Sequence, residues 1–133
     1  MGIFTAQLDA FAAKAKGNID LVVRKVTLDM FRRVVIKSPV DTGRFKGNWQ
    51  SAIGSIPLGT LTNLDKTGGG TLARVSQVAL KSKAGDIIYL INNLPYARPL
   101  EYGWSKQAPG GMVRLTIQEY GAVVSQAASE VQK

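Results

Sequence analysis

Two short stretches rich in proline and glycine constrain the fold of this chain more than any other feature. Residues 39–44 read PVDTGR, and residues 94–104 read LPYARPLEYGW. Proline fixes the backbone φ angle and glycine permits left-handed conformations, so each stretch is typical of a sharp change in chain direction. Neither contains a self-sufficient set of catalytic groups. We interpret both as structural corners, the first corner (39–44) and the second corner (94–104).

The composition restricts the chemistry that the chain can perform. Its 133 residues are 45% apolar, which suits one domain with a real core, and they include no histidine and no cysteine. The chain therefore lacks the commonest general base, the commonest metal ligand and a thiolate nucleophile. We expect a single domain, residues 1–133, that is not an enzyme and holds no cofactor and no metal.

The net charge of +8 is spread along the whole chain. Because there is no basic tail or Lys/Arg block, a solubilising surface and a diffuse phosphate-facing surface both stay open as interpretations. The amino terminus lacks a cationic leader, and the longest apolar run, residues 87–91, is too short to span a bilayer. We expect a soluble protein made in the cytoplasm.

Helical periodicity marks both ends of the chain. Apolar residues at spacings of three and four, from Phe4 to Ala15 and from Val22 to Val34, predict a helical region over residues 1–37 that ends before Pro39. A similar stripe predicts one continuous amphipathic helix over residues 112–133, after a hinge at residues 104–111. Its members are Val113, Ile117, Tyr120, Val124, Ala127 or Ala128, and Val131.

The middle of the chain alternates strand and loop patterns. Residues 45–51 alternate in polarity around Trp49, the expected anchor of a half-buried strand, and residues 87–91 are apolar on both faces, as in a central strand. Residues 53–70 have no clear period and contain several glycines, which predicts a flexible loop. A short helix follows, with Thr71 as candidate cap and Gly85 as left-handed terminator.

These patterns predict an α+β fold. A small, mostly antiparallel sheet is braced by the long N-terminal helical region and by the amphipathic C-terminal helix, with a long central loop. In chain order we expect a helical region (1–37), a corner and strand (38–52), a flexible loop (53–70), a helix, central strand and corner (71–103), a hinge (104–111) and the C-terminal helix (112–133).

The triplet Asp41-Thr42-Gly43 also occurs at the active site of aspartic proteases, where two aspartates share one proton. Here Arg44 places a permanent cation where that site needs an apolar shell. A structural role is favoured: Asp41 accepts bonds from following backbone amides as an Asx turn, and Gly43 adopts positive φ to redirect the chain.

The second corner contains several aromatic residues beside cations. Tyr96, Tyr102 and Trp104 lie near Arg98 in the sequence, so they can stack on nucleic-acid bases or fill a subunit interface. We favour the interface. Arg98 and Glu101, three residues apart, are expected to pair on a short helical turn.

With these motifs in order, the chain resembles a family of tailed-bacteriophage neck proteins, the tail-completion or head-tail joining proteins. The resemblance rests on a helical region leading into SPVDTGR at residues 38–44, then YARPLEYG at residues 96–103, then a helix, and it covers nearly the whole chain. Residues 103–109, GWSKQAP, look like an extension found in a subset of the family.

The resemblance implies a virion structural protein that completes the tail end or joins it to the head. Its copies are expected to form a ring, a hexamer in the virion, around the DNA channel, between a head connector or head-closure protein and a tail terminator or tail-tube protein. A tail terminator that caps the tube is the alternative, and a nucleic-acid-binding module is a more distant one. The residues expected at a structural corner or subunit interface are Asp41, Thr42, Gly43, Arg44, Tyr96, Glu101, Tyr102, Gly103 and Trp104.

Overall fold

The computed structural model describes residues 18–132, which form five α-helices, one 3₁₀ turn and a two-stranded antiparallel sheet. The predicted small α+β fold is therefore confirmed. The helix expected around Phe4 and Ala15 lies outside the described residues. The elements are α1 (Ile19–Lys37), the 3₁₀ turn (Lys46–Asn48), β1 (Trp49–Ile53), α2 (Gly69–Ala79), β2 (Ile88–Asn92), α3 (Ala97–Glu101), α4 (Val113–Gln118) and α5 (Tyr120–Gln132).

Helix α1 is the central support of the fold. Its buried residues reach three apolar clusters: Val22 and Val26 pack with α5, Phe31 packs with α2, and Val35 packs with Trp49. The helix ends at Lys37, as predicted, because Pro39 keeps Ser38 in extended geometry. No helix in residues 18–132 is long and apolar enough to cross a membrane.

The carboxyl-terminal region is two helices, so the prediction of one continuous helix over residues 112–133 is wrong. Helix α4 ends at Gln118, and the amide of Glu119 bonds at the tighter spacing of three to the carbonyl of Thr116 (3.0 Å). The break lets the two helices pack against different apolar clusters. Met112, just before α4, packs with Trp49, whereas Val123 of α5 packs with Val22.

The sheet pairs Trp49 with Asn92 and Ile53 with Ile88 in a continuous antiparallel register. The predicted strand start at residue 45 is wrong, because residues 46–48 form the 3₁₀ turn. The prediction that residues 87–91 form a central strand is also wrong, since β2 pairs only with β1 in the described chain. Strand β2 is apolar on both faces because Ile88 and Leu90 pack on the core while its other face stays half-buried.

Helix α2 starts earlier and ends earlier than expected. It begins at Gly69 with Gly68 as the N-cap, so Thr71 is a buried residue of the first turn and not the cap. It ends at Ala79, six residues before Gly85, which does adopt the predicted positive φ of 89°. Residues 54–68, which we call the arm, therefore connect β1 to α2.

Candidate functional site

The structure brings the two corners together around one cleft of about 240 Å³, the corner cleft. Residues 39–45 form one wall, and Tyr96, Leu100, Ser105 and Gln107 form the other. The side-chain amide of Gln107 joins the walls across 67 residues of sequence: it accepts the Val40 N–H (2.8 Å) and donates to the Val40 carbonyl (2.9 Å). An amide that satisfies both backbone groups of one residue imitates a neighbouring strand.

The first corner is held by backbone bonds around Gly43. Its φ is +89°, as predicted, and its carbonyl accepts the amides of Gly47 (2.9 Å) and Asp65 (3.0 Å). A Cβ at this position would lie 2.7 Å from the backbone of Asp65, so glycine is required by both geometry and space. The corner is therefore locked against the arm.

The hydroxyl that turns the first corner belongs to Thr42, whose Oγ1 accepts the Arg44 N–H (3.2 Å). The expected Asx turn at Asp41 is wrong, because within residues 18–132 the Asp41 carboxylate accepts no hydrogen bond. Asp41 and Arg44 both lie exposed at the rim of the corner cleft. Their charges face solvent and any partner that approaches.

In the second corner, Glu101 connects α3 to the start of α4. Its carboxylate accepts the amides of Met112 (2.9 Å), Val113 (2.9 Å) and Arg114 (3.0 Å) and an ion pair from the Arg114 guanidinium (3.1 Å). Burial favours a raised pKa for Glu101, but these hydrogen bonds outweigh it and hold the pKa below the ordinary value. The predicted pairing with Arg98 is wrong, since the hinge returns the chain and presents Arg114 instead.

The hinge is compact because two glycines allow close backbone approach. A Cβ on Gly103 would lie 2.6 Å from the Pro109 carbonyl, and one on Gly111 would lie 2.6 Å from the Glu101 Oε2. Both glycines have positive φ. The Arg114 guanidinium also lies 4.8 Å from the centre of the Tyr102 ring, a cation–π contact that ties this ring to α4.

The predicted aromatic residues divide into two groups. Tyr96 contacts Phe45 (6.1 Å between ring centres), and Phe45 in turn contacts Trp49, whose indole N–H donates to Ser38 Oγ (2.8 Å). Trp49 is 4% exposed, which confirms its predicted role as an anchor. Trp104, by contrast, is 80% exposed at the start of the hinge. The site thus has a packed interior of Phe45 and Trp49, a Tyr96 ring that is 39% exposed at its edge, and an uncovered indole.

Two residues that hold this site were not predicted from the sequence. Asn48 is fully buried and makes three hydrogen bonds, to the Arg44 carbonyl and to both backbone groups of Leu61. No sequence signal indicates Asn48, because Leu61 lies thirteen residues away. Asp65 is the second, since its carboxylate accepts the amides of Gly68 (3.0 Å) and Thr71 (2.7 Å).

The Asp65 carboxylate is stabilised in its charged form. Burial raises its pKa, but the hydrogen bonds from Thr71, Gly68 and Thr67 outweigh this and lower the pKa. Asp65 lies three residues before the N-cap Gly68, outside the ordinary N-cap position, so no simple sequence signal finds it. Asp65 therefore holds the first turn of α2 and anchors the arm beside Gly43.

The arm combines bound backbone with exposed apolar side chains. Gln50 Nε2 donates to the Gly59 carbonyl (2.9 Å), and Asn93 Nδ2 donates to the carbonyls of Pro57 (3.0 Å) and Gly59 (2.9 Å). Ile56 and Leu58 nevertheless remain exposed, Leu58 at 86%. The arm thus presents apolar side chains from a backbone that is attached to the sheet.

Residues 18–132 contain no group of three acidic side chains placed to bind a metal ion. Comparisons with protein-family models, with curated proteins and with solved structures found no match. The residues described above are therefore the basis for assigning a function.

Proposed function

We propose that this chain is a structural protein of the bacteriophage neck, which completes the tail end or joins the tail to the head within an oligomeric ring around the DNA channel. The ring is expected to be a hexamer, between a head connector or head-closure protein and a tail terminator or tail-tube protein. The observation that carries the proposal is the meeting of the two family-like motifs in one cleft, where Gln107 joins Val40 across 67 residues.

Exposed apolar side chains support assembly as the mode of action. Trp104 in the hinge and Leu58 in the arm are 80% and 86% exposed. Tryptophan is enriched among residues that dominate binding energy at interfaces, and burying a large apolar side chain contributes about 1.5–3 kcal/mol. A cyclic ring requires two different surfaces on each subunit, because its interface is head-to-tail. The arm and the hinge are two such surfaces.

The fixed geometry of the hinge favours specific contacts. The Trp104 amide donates to the Pro99 carbonyl (3.2 Å), and the glycine contacts around Pro109 and Glu101 define the path of the following residues. A contact residue held by its backbone loses less conformational freedom on binding than one on a mobile loop. The backbone of Trp104 is therefore preorganised to present the indole to a neighbouring chain.

The positive charge is consistent with a place beside DNA. In residues 18–132 the ion pairs involve Lys25, Arg33, Lys37 and Arg114. Cations around the corners have no carboxylate partner in that part of the chain and are exposed. They include Arg44, Lys66, Arg98 and Lys106. Uncompensated cations attract phosphate over distances of about a Debye length, roughly 8 Å at physiological salt.

Electron microscopy of intact phage particles, with the chain located along the head-to-tail axis, tests the proposal. Density for this chain in the neck supports it, and its absence from mature particles contradicts it. Particles lacking the protein then separate the two structural roles. Intact heads beside unattached tails of normal length indicate joining, whereas overlong tails indicate termination.

A nucleic-acid-binding module makes a different prediction for the isolated subunit. Purified protein would bind DNA tightly, with an affinity that falls steeply as salt rises. A titration with labelled duplex and single-stranded DNA at two salt concentrations measures this. Under the proposal of a neck protein, the subunit binds DNA weakly at physiological salt.

A further inference from the structure

We draw no further inference here: the strongest candidate, the partly apolar groove between α1, α2 and α5 that Leu28, Leu72 and Val123 help to line, carries none because nothing in the structure shows what covers it.

Discussion

The corner region and the arm of this subunit differ in how far their groups find partners within the subunit. Around the corners, the carboxylates of Glu101 and Asp65 accept several backbone amides, and glycines allow backbone segments to approach closely. In the arm, Ile56 and Leu58 are exposed, and β2 pairs only with β1 within residues 18–132. The first region is held by many hydrogen bonds within one subunit, and the second presents exposed apolar side chains.

This difference separates two roles that sequence motifs alone do not distinguish. The PVDTGR and YARPLEYG stretches are conspicuous because they build the corners, through the close backbone approach at Gly43 and Gly103 and the hydrogen bonds of Glu101. Leu58, which is proposed to meet another subunit, lies in unremarkable sequence. Substitutions of the bonded or closely packed residues of the corner region should therefore affect folding, and substitutions of exposed apolar side chains such as Leu58 and Trp104 should affect assembly.

The largest expected effect is from Gly111→Ala. Its Cβ would lie 2.6 Å from the Glu101 carboxylate, at a φ of +85°. We expect a loss of about 3 kcal/mol in the free energy of unfolding, the upper end of the usual range, measured by urea denaturation. Gly54→Ala is the control, since it shares positive φ but has open space, and it should cost only about 1–2 kcal/mol. Equal losses would show that crowding in the hinge is unimportant.

The next effect is from Asn48→Ala. The change leaves both backbone groups of Leu61 without their partner, so we expect a loss of about 2 kcal/mol and faster proteolysis within the arm. Urea denaturation measures the loss of stability, and limited proteolysis measures the rate of cleavage within the arm. Gln50→Ala, which removes one exposed bond to Gly59, is the comparison and should have a much smaller effect on stability. An arm that resists protease in Asn48→Ala would contradict the anchoring role.

A smaller, pH-dependent effect is expected from Glu101→Gln. The pKa of Glu101 is lowered in the folded state, so its stabilising contribution is present above the unfolded pKa and is lost as pH falls through the lower folded pKa. The wild type should therefore lose stability below about pH 4. Glu101→Gln should cost about 1–2 kcal/mol at neutral pH and flatten that acid slope. Asp41→Asn, which removes an exposed carboxylate without a hydrogen bond in residues 18–132, is the comparison and should cost much less at neutral pH.

The smallest effect on folding is expected from Leu58→Ser and Trp104→Ala. Both side chains are exposed, so the free energy of unfolding should change by less than about 0.5 kcal/mol. Assembly should weaken, because the proposal buries these side chains between copies. Sedimentation measures assembly and urea denaturation measures stability, so the two together test whether these side chains act in assembly alone. A large loss of stability with unchanged assembly would reverse the roles assigned to the two regions.

Sequence patterns were reliable where the physical cause is local. Pro39 predicted the end of α1, and Gly43 and Gly85 have the positive φ expected of them. Patterns failed where a distant partner decided the outcome. The break at Glu119 accompanies ion pairs to Arg33 and Lys37 of α1, and no periodicity in residues 112–133 indicates them. The partner of Glu101 was missed for the same reason.

The sequence by itself determined the helical stripes, the two corners and the lack of histidine and cysteine, because each depends on residue type and short-range spacing. Only the tertiary structure decided that the corners share one cleft, that Asp65 and Asn48 hold the arm, and that β1 and β2 pair only with each other within residues 18–132. Those features depend on which backbone groups find partners across tens of residues. Hydrogen bonding and close packing select those partners only when the chain is folded.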